Sequence, residues 1–112
     1  MTAIKADIAR QALEQLGVLA ADEAPSAADQ VRADAAVQSV HDDLYQREIA
    51  DWSVEAVPDY ATEGYATCAA DILAPYFGLP PDPTRWRRGE GMVVRGAGAR
   101  HDQYKPTPAE YF

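Results

Sequence analysis

Apolar residues return every three or four positions through residues 4–77, and the repeat is broken only around Gly17, Pro25, Pro58 and Gly78. That period places them on one face of a helix, whereas a half-buried strand needs alternation by two. The chain is therefore expected to form three amphipathic helices that must bury those faces against one another. In the first, Thr2 is the expected cap and Ile4, Ile8, Ala12, Leu13 and Leu16 share a face. Gly17 supplies the left-handed stop, and Val18 the apolar contact of a Schellman end. The second opens after Pro25, with Ser26 as cap and Asp29 near the positive end of the helix dipole. Val31, Ala35, Val37, Val40, Leu44 and Ile49 make its expected buried stripe. At about 24 residues it would be about 36 Å long. The third follows Val57 and Pro58, with Asp59 in its first turn and Ala61, Tyr65, Cys68, Ala69, Ile72, Tyr76 and Phe77 as its stripe. Pro75 should bend or shorten its end, and Gly64 implies either close helix approach or simple tolerance of roughly 1 kcal/mol.

Past Pro80 the character changes. Through Pro80 there are 4 basic and 14 acidic residues; from Pro81 onward there are 6 basic and 4 acidic, with four of the seven glycines. The expected division is an acidic helical bundle over residues 1–80 and a mildly basic arm over 81–112. In the arm, residues 82–88 are a short helical candidate and residues 92–95 a strand candidate; beyond Gly96 an extended chain is expected. The fold class is thus all-α: a small bundle of three helices, or four if the short one joins it, packed around Leu13, Leu16, Val40, Leu44, Ile72 and Leu73, with an extended C-terminal arm.

Composition removes several function classes. No apolar run approaches the roughly 20 residues of a membrane span, and the N-terminal stretch lacks the apolar block and cleavage site of a secretory signal. One cysteine makes no disulfide framework and no Cys-based zinc site. A net charge of −8 opposes wrapping a nucleic-acid backbone. His41, beside Asp42 and Asp43, and His101, beside Asp102, lack the one-turn spacing of metal ligands and read as solvated polar residues. Cys68 lies on an apolar stripe and reads as a buried structural thiol. Adjacent acids such as Asp42 and Asp43 diverge by about 100° on a helix, so they make no catalytic pair. The run GEGMVVRGAG lacks the Gly-Lys-Ser/Thr ending of a phosphate loop. Neither Ser26 nor Ser53 lies in the helix-start motif of a pantetheine carrier. No catalytic residue, cofactor or metal is expected.

Aromatic residues carry more information. Trp86 stands among Arg85, Arg87 and Arg88, and the last nine residues, YKPTPAEYF, join two backbone-extending prolines to Tyr104, Tyr111 and Phe112. Such a segment either docks on another surface or folds back on its own bundle. The Arg85–Trp86–Arg87–Arg88 cluster is either a solvated turn or a contact with an acidic partner or a neighbouring copy. These seven residues are the expected partner-binding set.

The run IARQALEQLGVL, the Pro-Ser helix start, the run VHDDLYQREIADWSVEAVPDYATEGYATCAADILAPYFGLP and the terminal AEYF together resemble the small head-to-tail adaptor proteins of tailed phages. The nearest group is the podovirus tail accessory factor, or packaged-DNA stabilisation protein, family. The likeness covers roughly residues 4–79 and the last four, and rests on the order and spacing of motifs that are individually weak. It implies a structural virion protein of the neck, made in the host cytoplasm, that forms a ring, commonly of twelve copies, beneath the portal protein. Its C-terminal arm would reach the portal or a neighbouring copy, a further neck or tail protein would follow below, and DNA would pass through the lumen as cargo. The chain departs from the family after Pro80, where a short, Gly-rich segment replaces the further helix expected of longer relatives. Two other classes stay open: a cell-wall-cleaving virion enzyme using dispersed carboxylates, and a free cytoplasmic helical interaction module.

Overall fold

The computed structural model describes residues 2–104, with side chains through Gly98. Among these, the chain forms an all-α bundle in the order β1 (Thr2–Ala3), α1 (Lys5–Gln15), α2 (Ala27–Gln46), β2 (Val57–Pro58), α3 (Asp59–Leu73), a 3-10 turn (Ala74–Phe77) and α4 (Arg85–Tyr104). The two short strands pair antiparallel, Thr2 opposite Pro58 and Ala3 opposite Val57, and fasten the N-terminus to the start of α3. α3 is the axis of the molecule: α1 and α2 pack on it and on each other, and α4 packs on it most extensively of all.

The helix stops follow the expected chemistry. Gly17 has φ +76°, and the amides of Gly17 and Val18 donate to Glu14 and Leu13, closing α1 as a Schellman end. The Ser26 side chain accepts from the Asp29 amide at 3.2 Å and opens α2. Pro75 converts the end of α3 into the 3-10 turn, and Gly78, at φ +71°, ends it.

Several expectations are corrected. Thr2 does not cap α1. It is taken up by the strand pair, Ile4 is the cap residue, and the Lys5 amide is satisfied by the Glu55 carboxylate at 2.8 Å, from 50 residues away. α2 stops at Gln46, short of the expected length, because Glu48 adopts a left-handed φ of +62° and the Ile49 and Ala50 amides turn back to the Leu44 carbonyl. Its buried side is Ala33, Ala36, Val37, Val40, His41 and Leu44; Val31 is 69% exposed and Ala35 is exposed. The inner face thus combines Ala33 and Ala36 with the fully buried Val37 and Val40. Ile4, Ile72 and Tyr76 also lie outside the core, and Leu16 is half-buried.

The largest correction is α4. Residues 92–95 are not a strand and the chain beyond Gly96 is not extended; both belong to one continuous helix that begins at Arg85 and runs to Tyr104. Its start is prepared by the Asp82 carboxylate, which accepts from the Thr84 amide at 3.0 Å and from its hydroxyl at 2.9 Å. Val93 is fully buried against α3, so this part of the expected arm belongs to the core. The α3–α4 seam explains the glycines. A Cβ on Gly64 would stand 2.5 Å from the Gly89 carbonyl oxygen, and one on Gly89 would stand 2.7 Å from Cys68 Sγ. A Cβ on Gly96 would press 2.7 Å from the Tyr60 ring. Only hydrogen fits at these crossings.

Candidate functional site

The centre of the bundle is polar at one point. Tyr65, on α3, is fully buried, and its hydroxyl lies between two partners. Trp52 Nε1 donates to it at 3.0 Å, and it stands 2.9 Å from His41 Nδ1 on α2. An indole N–H can only donate, so the Tyr65 proton is free to go to His41 Nδ1. In that arrangement the neutral imidazole carries its own proton on Nε2. Burial lowers the His41 pKa below its ordinary value, against the opposing pull of the Asp42 charge, and favours the same neutral form. Burial raises the Tyr65 phenol to about 12, so it stays protonated. Trp52 packs edge-on against Tyr60, which holds the indole over α3. His41 was expected to be solvated; at 8% exposure it is an interior residue. The pattern of acidic neighbours pointed outward, but on a helix a residue's own neighbours lie on other faces.

Above this array, α2 and the segment after its left-handed end enclose an open groove of about 580 Å³. His41, Asp42, Tyr45, Asp51 and Trp52 line it, together with Gln38. Asp42 and Asp51 are exposed, and Tyr45 is 57% exposed with its ring 5.6 Å from that of His41. Gln38 Nε2 donates to Asp42 at 2.9 Å, and the Lys5 ammonium reaches the far side of Gln38 at 3.4 Å. Among the described residues, no lysine or arginine lines the groove. Arg47, next in sequence to Gln46, turns away to Asp43 and to Glu90 of α4, and these contacts raise its own pKa and hold the Glu90 carboxyl below the usual range. The groove is thus a concave acidic surface with aromatic walls, suited to a cationic group rather than to acid–base chemistry.

The expected partner-binding residues separate when placed on the fold. Arg85 is largely covered, 3.9 Å from Asp71. Trp86 packs against the core and donates from Nε1 to Glu90 at 3.2 Å. These two are engaged inside the chain. Arg87 and Arg88 are exposed on the outer side of α4, where Arg88 stands 3.6 Å from Asp82. Tyr104 is the last residue of α4 and its side chain, like Tyr111 and Phe112, lies outside the described residues. One, two and three turns beyond Arg87, the same outer face presents Gly91, then Val94 and Arg95, then Gly98, with Val94 47% exposed. Arg95 joins this face only because residues 92–95 are helical, which is why the sequence reading passed over it.

Cys68 is buried, and burial, helped by nearby carboxylates, pushes its thiol up to about 12, so it is a packing residue and no nucleophile at neutral pH. Among the described residues no group of three or more His, Cys, Asp or Glu side chains is placed to hold a metal ion, and no helix is long and apolar enough to cross a membrane. No family model, no curated protein and no solved structure matches the chain.

Proposed function

We propose that the chain is a structural adaptor of a tailed-phage neck, one copy of a ring that sits beneath the portal protein and carries the DNA channel toward the tail. The observation that carries this reading is α4. Longer adaptors of the kind the sequence resembles are expected to continue with a further helix after the third; the sequence past Pro80 offered only a short candidate over residues 82–88, and residues 85–104 are helical. The order of the remaining elements supports it too: a first helix ending in Leu-Gly-Val, a long second helix, the Trp-Ser and Val-Pro connection, and a third helix closed by Phe-Gly.

Surface charge is compatible with such work. Asp7, Asp22, Glu23, Asp42, Glu48, Asp51, Glu55, Asp59 and Glu63 are exposed on the body, while exposed Arg87, Arg88 and Arg95 gather on one side of α4. Carboxylates facing a lumen repel phosphates, so that a duplex slides without sticking. The bundle is small, and a C-terminal segment that binds a neighbouring protein adds interface without enlarging the core. Electron microscopy of the protein mixed with purified portal tests the proposal directly. Rings on one face of the portal are expected from the full chain and are lost on deleting residues 105–112, with the helical circular dichroism unchanged. A protein that leaves the portal bare at any concentration is a free interaction module instead.

A further inference from the structure

We infer that the acidic groove beside His41 is the docking site for the outer face of α4 on a second copy of this chain, with Arg87 or Arg95 entering the groove. The inference rests on the adaptor reading, which requires copies to meet side by side, and it names the two surfaces that meet.

Three observations converge on that pairing. The groove is lined by two exposed carboxylates, Asp42 and Asp51, and by Tyr45 and Trp52, and among the described residues no lysine or arginine lines it. A guanidinium suits such a place because it can bond a carboxylate through paired N–H groups while its flat face lies on an aromatic ring. Second, α4 turns Arg87 and Arg95, two helical turns apart, to the outside. Arg88, by contrast, is within reach of Asp82, and Arg85 and Arg47 are taken by Asp71 and by Asp43 and Glu90. Third, the arginines flank Gly91 and a half-exposed Val94, so the face between them is low and apolar and can lie close to another surface. The Arg95 guanidinium itself folds over Gly91, 2.9 Å from where a Cβ would stand, and can swing outward without disturbing the helix.

The groove belongs to α2 and the segment that follows it, while the basic face belongs to α4. The two patches are therefore different surfaces of one molecule. A contact between them is heterologous: each copy offers a groove to one neighbour and a helix to the other, which generates rings when the rotation closes. The floor of the groove is held by the Trp52–Tyr65–His41 array, so the receptor surface is formed before the partner arrives and little ordering is needed on that side.

Two complementary variants isolate a single contact. Arg87→Gln with Arg95→Gln removes the charge of the helix face and keeps the groove; Asp42→Asn with Asp51→Asn removes the charge of the groove and keeps the helix face. The first, labelled with ¹⁵N, is titrated with the second, unlabelled, to about 1 mM, where contacts weaker than micromolar still register. Amide shifts confined to residues 38–54, saturating at one to one and suppressed at about 0.5 M salt, are expected. Titrating the labelled helix-face variant with itself should give at least a roughly tenfold weaker response. No shifts, or shifts centred elsewhere, overturn the inference. Should a variant lose its helical circular dichroism, Arg87→Ala with Arg95→Ala or Asp42→Ser with Asp51→Ser replaces it; the same shifts are expected, and their absence equally overturns the contact. Portal attachment of the unaltered chain is scored separately. Rings without groove shifts reject this contact alone, and groove shifts without rings reject the adaptor reading alone.

Discussion

α2 and α4 are both 20-residue helices packed on α3, yet they owe their existence to opposite things. α2 is helical by local instruction: a Ser26 cap, an acidic first turn, and no glycine or proline within it. α4 contains four glycines, each costing roughly 1 kcal/mol relative to alanine in a helix interior. It is stable because Gly89 and Gly96, with Gly64 opposite, let two backbones approach until Val93 is fully buried. The same contrast divides the two sides of α3. Toward α2 it is tied by the Tyr65 hydroxyl, a polar connection; toward α4 it is joined by a seam of absent side chains.

The strongest way to break that contrast is at the seam. Gly64→Ala puts a methyl 2.5 Å from the Gly89 carbonyl oxygen and 2.6 Å from Val93, so backbone must move. A loss of about 3 kcal/mol is expected in urea unfolding, with α4 released from hydrogen-exchange protection before α1 and α2. On the opposite side, Tyr65→Phe strands the Trp52 N–H and the His41 ring without their shared partner. About 2 kcal/mol should be lost while α4 stays protected.

That array also has a pH signature. The folded protein holds the His41 pKa below its unfolded value, so the unfolded chain takes up the proton first as pH falls. The stability contributed by neutral His41 is complete above about pH 6.5 and drains away as pH drops below it. Thermal unfolding followed from about pH 8 to about pH 5 should show this decline, and His41→Gln should flatten it. Ser26→Ala tests the local instruction of α2 and should cost about 1 kcal/mol, read from the same urea curves. The smallest effect has the opposite sign. Gly98 has open space where its Cβ would be, so Gly98→Ala should stabilise by roughly 0.5–1 kcal/mol.

Much of the fold was legible in the sequence because its signals were local. Gly17, Ser26, Pro75 and Gly78 act on their own backbone within one turn, and each performs the role its chemistry predicts. Errors arose where a residue's meaning depended on a distant neighbour. Helical spacing puts Val31 on the inner stripe, although the buried face of α2 runs through Ala33 and Ala36 and leaves Val31 outside. His41 was judged by its acidic neighbours in the chain, although its partner is Tyr65, 24 residues on. Trp52 and Tyr65 were visible as buried or notable aromatics, but nothing in their spacing says that one hydroxyl receives the indole and faces the imidazole. The candidate groove was therefore illegible: it exists only because Glu48 turns the chain back along α2.

By itself, the sequence determined an all-α bundle, the stops of its first and third helices, and the segregation of acidic from basic residues along the chain. Periodicity, capping and charge are properties of short windows, so they can be read without a partner. Only the tertiary structure decided that the Gly-rich segment is a helix. A glycine weakens a helix when considered alone and becomes the best residue there once another backbone passes within van der Waals contact, and that second backbone is not present in any window of the sequence.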